Sequence, residues 1–454
     1  MKIKILNINT KRSDKDKLVF AFWIYFILLF IEGGLRKWTF PEISNIFLVI
    51  RDPIAIYALL MGLKYGYLKK FFPVFFISIS IFAFITTMIY GHKNLIVALY
   101  GFRIYGINVP ALFVWGSILT KTDIKKIIVA TLYLLLISTL IIIIQYNSPQ
   151  SAFINIGTGG NEDGSGFQGV NGYFRPSGTF SFTAGLALFE FLALACLLSK
   201  ITTKESNKRQ IFFILVTGIA YLLSVFFSLS RTIVAQTGIL TLTFIILSAS
   251  NRKRFLTSIF IISTIIIAGY ITYKYSDDFK IAYNNLIQRF DDASNNEGNF
   301  INGSIRHRIF GSYIRAFTEP QNFTGKIIPD FGFGMGAGSK VGSKILNLDM
   351  SYTFGLAEEE WSLVVCEYGF FIGGLILIIG RFLFPCILFF KSITNKKTRN
   401  DNFCIYITIA FFSISMTSGL SVPTHLGFYV VTGALSLASI NNNSRKNENI
   451  DIYS

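Results

Sequence analysis

The chain has 454 residues, of which 52% are hydrophobic and 16% aromatic while only 15% are charged, and its mean hydropathy is +0.53. Soluble domains carry roughly 25% charged residues, so a water-soluble globular protein is excluded. The formal net charge of +17 would suggest nucleic acid in a soluble protein, but here the charge sits between apolar runs, and membrane lipid rather than nucleic acid is the expected partner.

The N-terminal arm carries Lys2, Lys4, Lys11, Arg12, Lys15 and Lys17 ahead of the first apolar run. No small-residue cleavage site follows, so that run reads as an uncleaved first span. Runs of about 20 residues, long enough to cross a hydrocarbon core of roughly 30 Å, recur almost to the C-terminus. Spans are predicted near 18–35, 44–63, 71–90, 95–119, 124–144, 178–198, 211–229, 232–250, 255–273, 361–385, 402–420 and 424–440. Backbone amides in lipid must be satisfied within each segment, which predicts an all-α, polytopic membrane protein of about 12 transmembrane helices. Alternate connections hold dense basic clusters, among them Lys64 with Lys69 and Lys70, Lys121 with Lys125 and Lys126, Lys200 to Arg209, Arg252 to Arg254, and Lys391 to Arg399. By the positive-inside rule these connections are cytoplasmic and both termini lie inside. The chain then divides into helices 1–9 (1–273), an outer helical loop (274–360), helices 10–12 (361–440) and a cytoplasmic tail (441–454). Cys196, Cys366, Cys386 and Cys404 lack the close spacing of a metal site or disulfide framework and read as packing residues.

Two connections are too long to be simple links, and both are predicted outside, where functional loops are the usual reason for such length. The first, from Gln145 to about Ser177, is rich in Gly, Asn and Ser; the second runs from Lys274 to Glu360. Within the second, Ile305, Ile309, Phe310, Tyr313, Ile314 and Phe317 recur at helical spacing, which puts Arg306, His307 and Arg308 on an amphipathic helix. Gly332 to Gly342 has neither the preceding strand nor the Gly-Lys-Ser/Thr ending of a phosphate loop and reads as flexible loop.

Ionisable residues at membrane depth are functional hypotheses by default. Here Glu32, Arg36 and Lys37 end the first span on the outer side, Arg51 and Asp52 lie in the second, Arg103 in the fourth, Arg175 just before the sixth, and Arg231 in the turn between the seventh and eighth. Arginine suits such a place because its planar fork binds phosphate or carboxylate bidentately and stays charged when partly desolvated. The bland readings stand beside this one. Glu32 with Arg36 has the i,i+4 spacing of a helix pair, Arg51 and Asp52 can neutralise locally, and Arg103 can pair with any of these carboxylates. Arg175 and Arg231 can snorkel at the interface. Glu358, Glu359 and Glu360 suit a solvated helix N-terminus, and His425 a hydrogen-bonded packing role. No His/Cys/Asp cluster has metal-ligand spacing.

Four stretches carry a resemblance: Phe174-Arg175-Pro176-Ser177-Gly178-Thr179-Phe180 leading into a span, Ser228-Leu229-Ser230-Arg231-Thr232 between two spans, the Arg306 helix, and Gly332 to Gly336 followed by Glu358 to Gly369. In this order and membrane placement the chain resembles the O-antigen ligase and O-antigen polymerase family of bacterial envelope glycosyltransferases. Glu32-Gly33-Gly34-Leu35-Arg36-Lys37-Trp38 and Val49-Ile50-Arg51-Asp52-Pro53 look like an N-terminal pattern of one branch of it. The resemblance implies cofactor-free, metal-independent glycosyl transfer from a polyprenyl-diphosphate-linked glycan donor to a glycan or lipid-linked acceptor. The expected location is the periplasmic face of the bacterial inner membrane. Carried over, the diphosphate-binding arginines are Arg175, Arg231 and Arg306. In the ligase branch a histidine assigned to activating the acceptor lies shortly before the tenth-span signature, here Glu367-Tyr368-Gly369; this chain has Glu358 in that place. The difference points to a polymerase of O-antigen, capsule or exopolysaccharide, with Glu358 and then Glu360 as catalytic carboxylate, and with room for a chain-length regulator as partner. A ligase, a lipid-linked sugar transporter and a non-catalytic scaffold are the rival expectations.

Overall fold

The computed structural model describes residues 12–161, 169–202, 208–249, 252–297, 311, 333–345, 360–395, 398 and 401–445. Among them the elements are helices: α1 (Arg12–Gly34), α2 (Asp52–Lys64), α3 (Phe71–Ile89), α4 (Leu95–Phe102), α5 (Val109–Ile118), α6 (Lys121–Tyr146), α7 (Thr183–Thr202), α8 (Lys208–Phe227), α9 (Arg231–Ser248), α10 (Arg252–Tyr275), α11 (Asp277–Glu297), α12 (Val341–Ile345), α13 (Glu360–Leu375), α14 (Phe384–Thr394), α15 (Asn402–Thr417) and α16 (Pro423–Arg445). Nine helical stretches among the described residues are long and apolar enough to cross a membrane. Three further predicted spans fall on α10, α15 and α16. Large apolar side chains such as Phe71, Phe212, Leu242 and Phe260 stand more than half exposed on the bundle's flanks. Water would not tolerate such a belt, whereas lipid does, so the chain is a multi-pass membrane protein.

α5 and α7 form the centre. Their sequences are apolar on all sides, and all but one residue of α5 and nearly all of α7 are buried. Trp115 on α5 meets Phe22 edge-on at 5.6 Å and Tyr25 at 5.0 Å, fastening α1 to the core. α6 starts at a capping box, where Thr120 Oγ1 accepts from the Asp123 amide at 3.3 Å and the Thr120 amide donates to Asp123 Oδ2 at 2.9 Å.

Three π-helical stretches interrupt the bundle, at Leu35–Thr39, Arg103–Asn108 and Ile376–Leu383. Two have a proline in their sequel, Pro110 and Pro385. A proline ring collides with the carbonyl four residues earlier and offers it no N–H, and a widened turn absorbs the collision. The orphaned Arg381 carbonyl, four residues before Pro385, accepts instead from Ser415 Oγ at 2.6 Å. The Arg381 side chain, wholly buried, donates to the Ser415 and Ser418 carbonyls at 2.7 and 2.6 Å. It therefore serves as a cationic cap on the C-terminus of α15.

Gly33 lets α1 meet the segment entering α7 without space for a side chain: a Cβ there would stand 2.4 Å from the Thr179 carbonyl oxygen. Gly33→Val is expected to destabilise the bundle by about 1–3 kcal/mol through overpacking. Gly238→Ala, where a Cβ meets nothing within 4 Å, is expected to be neutral or slightly stabilising, up to ~1 kcal/mol. Thermal unfolding of the two purified variants checks both signs.

Candidate functional site

The helix ends at Gly34, Ile89, Tyr146, Phe227 and Tyr275 lie at the same end of the bundle as the helix starts at Asp52, Thr183, Arg231 and Pro423. The segment entering α7 crosses this end and is pinned from three sides. The Gly178 amide donates to Gln145 Oε1 at 2.8 Å, Lys37 Nζ donates to the Gly178 carbonyl at 2.7 Å and to Ser177 Oγ at 3.1 Å, and Arg36 Nη1 donates to Ser181 Oγ at 2.9 Å. Arg175, half-buried on the same segment, donates from Nη2 to Thr183 Oγ1 at 2.7 Å.

Arg231 arrives from a sharp turn. Leu229 is completely buried and takes a left-handed φ of 50°, unfavourable for a residue with a Cβ. Ser228 Oγ donates to the Val225 carbonyl at 2.9 Å, and Ser230 caps α9 by accepting from the Ile233 amide at 3.4 Å. Arg231 is thus the first residue of α9, at the positive end of the helix dipole, a place that favours an anion over a cation.

α11 docks on this turn through its apolar face. Phe279 packs on Phe226 and Phe227 with ring centroids at 5.1 and 6.0 Å, and Asn285 Nδ2 donates to Tyr146 Oη at 2.8 Å. Asn171 Nδ2 donates to Asn285 Oδ1 and Gln288 Oε1, both at 2.9 Å, tying α11 to the loop that carries Arg175. One turn beyond Asn285 stands Arg289. Burial, then repulsion by Arg289, then repulsion by Arg231, push the Arg175 guanidinium down to about 10. Three half-buried arginines, from a loop, a helix start and an amphipathic helix, thus meet around Arg175, and arginine is the side chain whose planar fork suits anionic oxygens. The structure brings Arg175 and Arg231 together as expected and adds Arg289, whose sequence signal was only its place one turn after a buried position of an amphipathic helix.

The second polar cluster pairs differently from its spacing. Glu32 does not form the i,i+4 pair with Arg36, because the π turn at Leu35–Thr39 shifts the register. Its Oε2 instead accepts from Arg51 Nε at 2.8 Å, and Arg51 Nη2 reaches the Pro423 carbonyl. Arg51 and Asp52 do not neutralise each other: both Asp52 oxygens accept from Arg103 Nη1 at 3.0 Å, and Asp52 Oδ1 also accepts from Asn108 Nδ2 at 2.9 Å. Gly427 leaves space for the Arg51 guanidinium, whose Nη1 would be 1.8 Å from a Cβ there. These four residues are matched struts. Arg36 and Lys37 belong to a different class, since among the described residues no carboxylate oxygen lies within 4 Å of either; the bonds quoted above, and Arg36 Nε to the Ser44 carbonyl at 3.0 Å, all end on neutral oxygens.

The glycine stretch is a correction. Its described part, 333–345, is packed rather than loose. The Met335 and Gly336 amides donate to the Cys366 and Glu367 carbonyls at 2.8 and 2.9 Å, the Ala337 amide donates to Thr87 Oγ1 at 2.9 Å, and Glu367 Oε1 accepts from the Lys340 amide at 2.9 Å. A Cβ on Gly101 of α4 would stand 2.4 Å from the Ala337 carbonyl carbon, so small residues on both partners permit the contact. Gly369, at φ 79°, breaks α13 where the loop crosses it.

Arg306, His307, Glu358 and Glu359 lie outside the described residues, as does the side chain of Glu360, whose backbone begins α13. His425 accepts from the Gly419 amide at 3.1 Å, the packing role expected of it. Among the described residues no group of three or more His, Cys, Asp and Glu side chains could hold a metal ion. No protein-family model and no curated protein matches the chain.

Glu32→Gln alone is expected to destabilise the fold by about 3–5 kcal/mol, because it leaves the Arg51 charge buried without its partner. Glu32→Gln combined with Arg51→Gln is expected to lose less than the single change. Losses from Glu32→Gln and Arg51→Gln that simply add in the double variant, in thermal unfolding, would show that the pair is not coupled.

Proposed function

We propose that this protein polymerises polyprenyl-diphosphate-linked oligosaccharide repeat units at the periplasmic face of a bacterial inner membrane. In this reading about a dozen spans place both termini in the cytoplasm. The observation that supports it is that Arg231 and Arg289, from two different helices, lie close enough to Arg175 to repel its guanidinium, a set of cations of the type that binds a diphosphate. The acceptor hydroxyl attacks the anomeric carbon of the donor sugar, the bond from that carbon to the diphosphate oxygen breaks, and the diphosphate departs with the electron pair. Inversion at the anomeric carbon follows from attack opposite the leaving group. The hydroxyl proton passes to a carboxylate, Glu358 first and Glu360 second among the candidates. Arginines held in place beforehand stabilise charge growing on the leaving group, by a few kcal/mol each.

A ligase that moves finished glycan to another acceptor would use the same cations. A transporter is favoured by one observation, the wholly buried Glu190 of α7: Ser224 Oγ donates to its Oε1 at 2.6 Å, and its Oε2 has no hydrogen-bond partner. Intramembrane carboxylates of this kind mark transport paths.

Lipid-linked glycan sized from cells separates the readings. Arg231→Glu is expected to leave single repeat units where ladders stood while the protein still inserts, and Arg289→Ala to lower polymer formation by about 100-fold. Glu190→Gln is expected to retain ladders. Near-normal polymer from Arg231→Glu would sink the assignment; long chains that stay on the carrier identify a ligase, and loss of outward-facing intermediates in Glu190→Gln a transporter. On purified protein, inorganic pyrophosphate is expected to raise the melting temperature of the wild type and not of Arg231→Glu.

A further inference from the structure

Beside the arginine triad lies a cleft of about 280 Å³ whose walls include Arg36, Asn45, Ser181, Phe182, Val341 and Thr424. It shares one tripeptide with the triad: Arg36 donates to Ser181 and Arg175 to Thr183, so Phe182 stands between the two cations' anchors. The cleft combines the features that hold a sugar. Phe182 is 48% exposed and offers an apolar face to ring C–H groups, while two hydroxyls and an amide offer hydrogen bonds.

Its charge is less ordinary. Arg36 is 8% exposed and Lys37 1% exposed, and among the described residues neither has a carboxylate oxygen within 4 Å. Glu32 is near enough to be felt by Arg36, but its Oε2 is committed to Arg51. Thr424 lies in the first turn of the 23-residue helix α16, whose dipole adds positive potential to the same wall. The desolvated Arg36 and a helix start bordering a sugar-sized space, with Lys37 next to Arg36 in the chain, make a site selective for negative charge.

We propose that this cleft receives the acceptor end of the glycan and that the sugar it receives carries a carboxylate. The inference rests on the polymerase reading for the word acceptor, and on the cleft alone for the acidic sugar. Phe182 and the Ser181 and Thr183 hydroxyls then separate the acceptor from the donor diphosphate, and Arg36 selects the repeat unit by its acid group.

The test is binding to the purified full chain in nanodiscs, measured calorimetrically. The probes are a glucuronate-terminated oligosaccharide, the same oligosaccharide with its carboxyl reduced to the alcohol, and inorganic pyrophosphate. The acidic glycan is expected to bind about tenfold tighter than the neutral one, the scale of one charge-assisted hydrogen bond. Arg36→Gln is expected to erase that preference, Arg36→Lys to keep part of it, and Phe182→Ala to weaken both glycans alike. All three variants are expected to bind pyrophosphate as the wild type does. Arg231→Glu is expected to lose pyrophosphate and keep the preference for the acidic glycan, so failure of the donor site and failure of the cleft are told apart. Equal binding of the two glycans overturns the proposal, as does a preference that survives in Arg36→Gln. Displacement of the acidic glycan by phosphatidylglycerol, with Arg36-dependent binding of that lipid, also overturns it and makes the cleft a headgroup site.

Discussion

An ionised group buried at lipid depth is tolerable only when an opposite charge or several hydrogen bonds meet it, and this requirement organises the end of the bundle where the candidate site lies. Glu32 with Arg51 and Asp52 with Arg103 satisfy it as pairs. The first joins α1 to the residue preceding α2 and, through the Pro423 carbonyl, to the start of α16; the second joins α2 to the turn following α4. Once these four charges are matched, the remaining cations can be distinguished from them. Arg36 and Lys37 are held by neutral oxygens, and Arg231 and Arg289 both repel Arg175. What sets the carboxylate-paired struts apart is therefore pairing geometry, not depth or residue type.

That geometry depends on backbone that is not regular helix. The π turn after Gly34 moves Arg36 away from Glu32 and toward the segment entering α7, and the π stretch at Arg103–Asn108 presents both Arg103 and Asn108 to Asp52. Asn108 also donates to the Arg103 carbonyl at 3.1 Å, satisfying a group that the widened turn releases. Wide turns of this kind recur at functional sites because they add a residue to a turn and re-aim its neighbours without ending the helix.

The helical architecture was legible in the sequence because its signal is strong: long apolar runs separated by lysine clusters have one reading in lipid. Arg175 and Arg231 were legible too, as cations carried to one level by separate stretches. What could not be read was anything that depended on local register. The i,i+4 rule assigned Glu32 to Arg36 because it assumes 3.6 residues per turn, and the π turn defeats that assumption. Arg381 was invisible as a cap because its partners are carbonyls some thirty residues away, freed by a chain end rather than by a motif. The glycine stretch was misread because composition reports the absence of side chains, which suits a loose loop and a tightly interleaved one equally. Only the facing Gly101 and Gly369 decide between them. Arg289 needed the docking of α11, which rests on Phe279 and Asn285 finding partners on α8 and α6.

The crowding of the three arginines has its own logic. Like charges near a helix start repel, and Leu229 adds a left-handed backbone worth about 1 kcal/mol of strain. Both are sustained by contacts that have nothing to do with charge: the Leu229 side chain is completely buried, and α11 is clamped from above by aromatic packing and amide bonds. A site held this way does not need its ligand in order to form. Because the guanidinium groups are already oriented, little of the gain from the proposed anion is lost to ordering them. An anion whose charge grows during reaction gains more than one whose charge is constant, and under the proposed polymerase reading this is the physical condition for the site to favour departure of a diphosphate over its mere binding.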